Sequence, residues 1–569
     1  MFKNKIIPFA LLALSQSILA QQIPGAGSQL QQIPPTPVPQ KATPSVDFKP
    51  VVSPASTATD NEKIVVGSLK ITGSQVFSEE ALLAVSMFKP GSVMSLTDLR
   101  SAAAKIAAFY HQNGYFLTQA YLPAQDIRNG MVTIAVIEGR YGKITLNNQT
   151  NLSNNLASGL LEGLNEGDPV ANAPLEGRLL LLSDVPGVTV KSTLVPGTEL
   201  GTSDLLVDVT PGRRVTGSID ADNAGNRYTG ENRIGATINL NNPTGHGDVA
   251  TLRALTSGPG LSYARASYQM QFGKATVGVA YSYLDYALGE EFESLQANGT
   301  AKTASIYGSY PLIRSRNNNL YAGLNYDAKT FQDNVDSSGA VTDKQAGVLT
   351  ASLYGDHRDN FGLTAYSLTG TTGNIDLQTP SQRTIDAATA QSNGRFNKLG
   401  FSASRLQNLT ETISFYASIN GQVASKNLDV SEKMRLGGMY GVRAYPEGEA
   451  YGDQGYVLNM EVRVLLPKFS EQMLGQLQLI AFVDTGSVTV NKNPWTTEPN
   501  RRSLSGAGVG INWSAYNNFI VKAYYARKLG KRGGDISPGC FRSILDPGRQ
   551  IFLIRLSRLE YQHKKIYRN

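Results

Sequence analysis

The sequence predicts a transmembrane β-barrel of about 16 antiparallel strands, preceded by two small α+β units. Three observations carry this. Only 17% of the 569 residues are charged, glycine is abundant at 56, and mean hydropathy is −0.20. Yet after the N-terminal leader no apolar run approaches the ~18 residues that a membrane-crossing helix needs. A chain that spans a bilayer without such helices must close its strands, because every backbone polar group has to be satisfied within the protein. From Arg213 to Asn569, segments of about ten residues alternate apolar with small or polar positions. Before them, a strand–helix–helix–strand–strand pattern occurs twice.

In chain order, residues 1–20 read as a secretory signal peptide. Lys3 and Lys5 form its positive start, Ile6 to Leu14 its apolar core, and Ala20 a small cleavage-site residue. Residues 21–60 are rich in Pro, Gln, Ser and Thr and bury too little to fold, so a flexible or polyproline-like linker is expected.

Residues 61–140 form the first α+β unit. "IVVGSLKITG" is its strand, Ser78 caps a short helix, and Ser95 caps the next. In that second helix Leu96, Leu99, Ala103, Ile106, Ala107 and Tyr110 recur at helical spacing, and Asn113-Gly114 ends it. "YFLTQAYLP" and "MVTIAVIEG" close the unit. Residues 141–212 repeat the order: strand "GKITLNN", helices over Leu152–Leu161 and Pro174–Leu182, then "VTVKSTLVP" and "SDLLVDVTP".

Residues 213–569 are the barrel. In "LSYARASYQMQF", Ala264, Ala266, Tyr268, Met270 and Phe272 share one face. In "GYVLNMEVRVLL", Tyr456, Leu458, Met460 and Val462 oppose Asn459, Glu461 and Arg463. In "GQLQLIAFVDTGS", Leu477, Leu479, Ala481 and Val483 face lipid, so Gln476, Gln478, Phe482 and Asp484 point inward. Short and long connections take turns, as periplasmic turns and extracellular loops do. The final strand is "RQIFLIRLSRLEY", with Phe552, Ile554 and Leu556 toward lipid. Between the eleventh and twelfth strands runs a loop of about thirty residues, Lys426 to Gly455, containing "MYGVRAYPEGEAYGDQGY". Loops of that length in a compact architecture are commonly functional.

Catalytic, cofactor and metal sites find no support. The four histidines lie in unrelated segments, and His246-Gly-Asp248 reads as a polar turn. "GAGVG" (Gly506–Gly510) lacks the helix and lysine of a phosphate loop. The lone Cys540 excludes an internal disulfide. The net charge of +7 is dispersed, which argues against nucleic acid.

The tandem units resemble the POTRA domains that precede outer-membrane barrels. "GYFLTQAYLPAQDIRNGMVTIAVIEGRYG" is similar to the form found in two-partner secretion transporters, the TpsB family. That family carries a Val-Arg-Gly-Tyr signature in a loop folded into the barrel. Here the loop has Val442-Arg443-Ala444-Tyr445 after "RLGG" (Arg435–Gly438), so alanine replaces a glycine tolerant of positive φ. Phe482-Val-Asp484-Thr-Gly486 resembles the second family signature, Phe-x-Asp-x-Gly. The resemblance implies a latch of Arg443 on Asp484, with Phe482 and Gly486 in the partner motif. It also implies export of a large exoprotein (adhesin, haemolysin or contact-dependent toxin), recognised through its N-terminal secretion domain. The implied place is the outer membrane, in contact with its lipid, as a monomer with periplasmic POTRA domains. The assembly machinery would insert the barrel, although the basic tail "HKKIYRN" replaces the usual terminal aromatic. The alternative within the superfamily is an outer-membrane insertase. Family members often plug the pore with an N-terminal helix. Here Pro24 and Pro34 leave only Gly25–Ile33 free, too short for a stable isolated helix, so a weak plug or none is expected.

Overall fold

The structure is a computed structural model that describes residues 23–35, 45–48, 63–470, 475–515, 519–529 and 549–556. The segment read as a signal peptide, Cys540 and the basic tail lie outside the described residues, as do the side chains of Phe552, Ile554 and Leu556.

The chain begins with a helix, α1 (Ala26–Gln31), and a short strand, β1 (Ser45–Phe48). The first α+β unit holds β2 (Lys63–Val66), β3 (Ser68–Thr72), α2 (Glu79–Ser86), β4 (Ser92–Ser95), α3 (Leu96–Gln112), β5 (Gln119–Tyr121) and β6 (Met131–Ile137). Ser78 caps α2 by accepting from Ala81 N–H, and Ser95 and Asp98 exchange hydrogen bonds in a capping box at α3. The apolar stripe of α3 (Leu99, Ile106, Tyr110) packs on Leu69, Ile71, Val132 and Ile134. The Glu138 carboxylate is buried behind this core. It accepts from Gln75 N–H, Val76 N–H, the Tyr110 hydroxyl and Arg140. Burial raises its pKa, but these donors outweigh burial and hold it below the usual carboxylate value.

The second unit holds β7 (Arg140–Asn148), α4 (Asn154–Leu161), α5 (Asn172–Ser183), β8 (Val188–Pro196) and β9 (Thr202–Pro211). Its sheet order is β1-β8-β9-β7. Helix α5 starts two residues before the expected proline, which occupies an early position where its missing N–H has no helical acceptor.

Sixteen antiparallel strands then close a barrel. They are β10 (Val215–Asp222), β11 (Arg233–Asn241), β12 (Val249–Thr256), β13 (Leu261–Phe272), β14 (Ala275–Ala287), β15 (Ala297–Arg314), β16 (Asn318–Val335) and β17 (Ala340–Asp359). They continue as β18 (Gly362–Leu377), β19 (Gly394–Asn408) and β20 (Ile413–Ala424), after a helix α6 (Pro380–Ala388) between β18 and β19. The loop after β20 contains two-residue strands β21 (Met434–Arg435) and β22 (Tyr451–Gly452). The wall finishes with β23 (Gln454–Leu465), β24 (Gln476–Thr489), β25 (Arg501–Ala515), β26 (Phe519–Lys528) and β27 (Arg549–Leu556), and β27 pairs with β10. Alternation places Val462, Leu479, Val483, Val509 and Ile511 outward and exposed, with Glu461, Phe482 and Asp484 inward and buried.

The second unit docks on the periplasmic turns. Arg314, before the β15–β16 turn, grips Asp184 with two nitrogens at 2.7 and 2.9 Å. Ser153 N–H and the Asn151 side chain bond the β11–β12 turn. In that same turn Asp248 is buried and accepts from Thr244 N–H, His246 N–H and the Tyr268 hydroxyl, so "TGHGD" is a self-capped turn.

One expectation is overturned. Instead of a weak plug or none, α1 lies inside the barrel with Ala26 fully buried among Leu284, Tyr286, Phe331 and Val348. Ala26 N–H donates to Asp333 at 2.6 Å, Gln31 to Val430 carbonyl, and Gln32 to the Tyr451 hydroxyl, while Arg233 donates to Gln32 carbonyl. Six residues are indeed too short to be helical alone; the lumen supplies the packing and partners that isolation lacks.

Candidate functional site

The long connection between the eleventh and twelfth barrel strands, residues 425–453, folds back into the lumen instead of standing outside. Its descending limb is tied to the inner face of β16, β17 and β19 by ion pairs. Glu432 meets Lys329 and Lys398, each at 2.8 Å, and Asp429 meets Lys344 at 2.9 Å. Asp453, fully buried, accepts from Leu428 N–H and Lys492 N–H and pairs with Lys433.

The "RLGG" turn is built around Glu447. Its carboxylate takes Arg435 at 3.0 Å and Met439 N–H at 3.1 Å. Gly438 has φ +101°, and a Cβ there would sit on that carboxylate, so both backbone and space require glycine. Positive φ among described non-glycine residues falls at six positions elsewhere, so Ala444 needs no left-handed backbone. The alanine replacing the family glycine therefore carries no strain of that kind.

At the tip Val442, Arg443 and Ala444 are buried and Tyr445 is half-buried. Arg443 makes a fork on Asp484, with Nε to Oδ2 at 2.8 Å and Nη2 to Oδ1 at 2.7 Å. Arg443 backbone N–H adds a third bond to Oδ2 at 3.1 Å. The remaining terminal nitrogen, Nη1, donates to Glu461 Oε1 at 2.7 Å. Glu461 is also held by Arg463, so two cations and two carboxylates alternate. The guanidinium lies 3.6 Å above the Phe482 ring centroid and 5.0 Å from that of Tyr524. Aromatic faces below and carboxylates at the edge suit a planar, delocalised cation, and lysine offers no such fit.

Register explains the convergence. Asn459 sits opposite Asp484 and Glu461 opposite Phe482 across β23 and β24, so all four face the lumen at one level. Asn459 Nδ2 bridges the Asp484 carboxylate and Gly441 carbonyl at 2.8 and 2.9 Å. Small residues on the next strand leave room for the loop. A Cβ at Gly506 would approach that of Ala444 to 2.5 Å, and one at Gly508 would approach the Phe482 ring to 2.6 Å. Gly486 is similarly close to Leu436.

The structure thus brings together Val442, Arg443, Ala444 and Tyr445 with Phe482, Asp484 and Gly486. Glu461 was legible as lumen-facing but not as a partner of Arg443. Its signal was the two-residue spacing from Asn459, which puts both on one face. The glycines of "GAGVG", excluded as a phosphate loop by sequence, lie on β25, and their packing role needed the fold. The network holds no nucleophile–base pair. Among the described residues no group of three or more His, Cys, Asp or Glu side chains is placed to hold a metal. The arrangement is mechanical: a cation pins a loop to a wall.

A closed barrel with a luminal loop and two periplasmic units defines an outer-membrane transporter of the POTRA-bearing class. The chain belongs to the haemolysin secretion/activation protein family ShlB/FhaC/HecB, which matches residues 201–513. A POTRA domain of ShlB type matches residues 64–139. A heme/hemopexin transporter protein, HuxB, of Haemophilus influenzae is 30% identical over 530 residues, covering 91% of this chain and 93% of that protein. The outer membrane transporter CdiB of Dickeya dadantii is 27% identical, with 71% of this chain and 72% of that protein covered. The solved structure of CdiB from Escherichia coli superposes with a TM-score of 0.67 at 19% identity, over 89% of this chain and 93% of that one. CdiB from Acinetobacter baumannii gives 0.60 at 18%, over 98% and 100%. The protein is accordingly an outer-membrane transporter of two-partner secretion, with its POTRA domains in the periplasm.

Proposed function

We propose that the chain exports one large secreted partner, captured in the periplasm through the partner's N-terminal secretion domain. The observations that carry this reading are the loop pinned inside the barrel and the second POTRA unit docked on its periplasmic turns, with the first unit preceding it. A passive pore has no use for either. Capture proceeds by β-augmentation, in which an extended partner segment adds to an exposed POTRA strand edge. The barrel works as a monomer in outer-membrane lipid after insertion by the assembly machinery. It uses no cofactor, metal or nucleic acid and catalyses no reaction. Partner folding outside the cell draws the chain through. The longer and more identical sequence match to the heme/hemopexin transporter, 30% over 530 residues against 27% over 438 for the Dickeya dadantii transporter, favours a partner of the former's class.

The latch role follows from Arg443, Asp484 and Glu461: the pinned loop fixes the resting lumen, and the partner passes when the loop yields. The test is removal of residues 62–212 with surface display of the barrel as control. The expected result is a heat-modifiable barrel in the outer membrane that secretes nothing. Normal secretion without those residues would refute the export reading and favour a porin.

A further inference from the structure

The chain passes from the first POTRA unit to the second almost without a linker. β6 ends at Ile137 and β7 starts at Arg140, with only Glu138 and Gly139 between them. A hinge needs residues that can absorb a change of φ and ψ, and each residue here is held. Glu138 is buried, and its carboxylate accepts from Gln75 N–H, Val76 N–H and the Tyr110 hydroxyl of the first unit and from Arg140. Gly139 is buried, and its carbonyl accepts from Val170 N–H at 2.8 Å. A Cβ on Gly139 would come within 2.4 Å of the Leu117 Cβ. Arg140 N–H donates to the Gly201 carbonyl at 2.9 Å. The Arg140 side chain reaches both units, with Nη1 on the Gly167 carbonyl at 2.8 Å and Nη2 on Gln75 Oε1 at 2.7 Å. Phe116 and Leu117, from the turn after α3, pack against the core of the second unit.

Helix α5 carries the connection on to the barrel. Its first N–H groups have no acceptor within the helix, and that of Asn172 donates to the Gly114 carbonyl of the first unit at 2.9 Å. Farther along, Glu176 pairs with Arg316, and just past the last turn Asp184 takes the fork of Arg314. Leu175, Leu179 and Leu182 anchor the helix in the second unit's own core. One helix of twelve residues, about 18 Å long, therefore touches both units and the barrel rim.

We propose that the two POTRA units and the barrel rim form one rigid bracket. The Glu138–Arg140 joint and α5 hold the first unit at a fixed place beneath the mouth. The role of this bracket rests on the export reading and adds how the captured partner is positioned. Domains joined through small polar interfaces move against each other by default. This joint has a shared apolar contact and a bonded backbone instead. A partner segment held on the first unit stays at one distance from the lumen, and its neighbouring residues enter by threading, without a swing of the arm. Fixed placement keeps the effective concentration of the captured chain at the mouth high.

The test uses the full-length protein in detergent, spin-labelled at Ser101→Cys and Glu411→Cys in a Cys540→Ser background. Ser101 is exposed on α3, and Glu411 is exposed in the turn between β19 and β20. Pulsed dipolar spectroscopy should give one narrow distance distribution. Inserting Gly-Ser-Gly-Ser between Gly139 and Arg140 loosens the joint without removing a side chain, and should broaden the distribution at least about two-fold. Arg140→Ala keeps the chain length and should broaden it less. In cells the insertion should cut secretion about ten-fold, and Arg140→Ala should fall between it and wild type. Amide protection in α3 and β9 shows whether each unit is still folded; where the insertion loses it, Arg140→Ala decides. A broad wild-type distribution, variants as narrow as wild type, or a broadened variant that secretes normally overturns the proposal. A narrow wild type and broad variants, none of which secretes the partner, would count against the export reading instead and leave the bracket standing.

Discussion

Replacing Arg443 by alanine is the most informative single change. Asp484 is fully buried and receives three of its hydrogen bonds from Arg443, two of them from the guanidinium. Breaking a buried ion pair by removing one partner costs on the order of 3–5 kcal/mol, because the other charge is stranded. Here Asn459 still donates to Asp484, and Glu461 keeps Arg463, so the lower figure applies, about 3 kcal/mol. At about 1.4 kcal/mol per decade, the docked loop loses roughly a hundred-fold in population relative to the free one. Asp484→Ala should cost about half as much in free energy, roughly 1.5 kcal/mol, since the guanidinium retains Glu461 and its aromatic bed. Arg443→Lys keeps the charge without the fork and should fall between wild type and alanine. The double alanine variant should be little worse than Arg443→Ala, because most of the loss concerns one contact. External protease cleavage within residues 436–450 on intact cells reads the loop population, secreted partner reads function, and heat-modifiability shows that the barrel has formed. Strictly additive losses, or an Arg443→Ala loop as protected as wild type, would refute the pin.

Gly506→Leu should expel the tip by collision with Ala444 and mimic Arg443→Ala in secretion, whereas Gly370→Ala, on β18 where an added Cβ meets no atom within 4 Å, should secrete better than it does. Deleting residues 25–33 should raise single-channel conductance in planar bilayers several-fold, because the helix fills a packed lumen; unchanged conductance would place the helix outside the conducting path. Glu138 has a lowered pKa in the folded first unit, so its stabilisation is full above the unfolded value of about 4.3 and is lost as pH falls through the folded one. Amide exchange in residues 69–76 should therefore quicken below about pH 4 in the wild type, and Glu138→Gln should show fast exchange at pH 7 with little further change on acidification.

How much of this was legible depended on whether the deciding interactions are local. The periods of strand and helix are local, so the tandem units, the even barrel count and the lumen-facing set Phe482 and Asp484 could be read directly. The caps at Ser78 and Ser95 lie within three residues of their partners. The luminal helix was missed for the opposite reason. Six residues between prolines carry no intrinsic stability, and what holds them is Asp333, Arg233 and an apolar wall over two hundred residues away. The lysines that receive Glu432 and Asp429 come from three strands, β16, β17 and β19, and no spacing rule links them to the loop. Covering of β8 by the linker was invisible as well, since a four-residue parallel pairing leaves no periodic mark.

The central claim is that a partner protein crosses the barrel lumen in extended form, and site-directed cross-linking tests it most directly. A partner fused to a fast-folding domain should stall in transit. A cysteine at Asn420, on the inner face of β20, should then cross-link to the stalled chain in intact outer membranes, while one at lipid-facing Leu399 should not. Adducts at Asn420 that vanish when residues 62–212 are removed are the predicted result. Equal adducts at Asn420 and Leu399, or none at Asn420 while the partner is still secreted, would contradict the account.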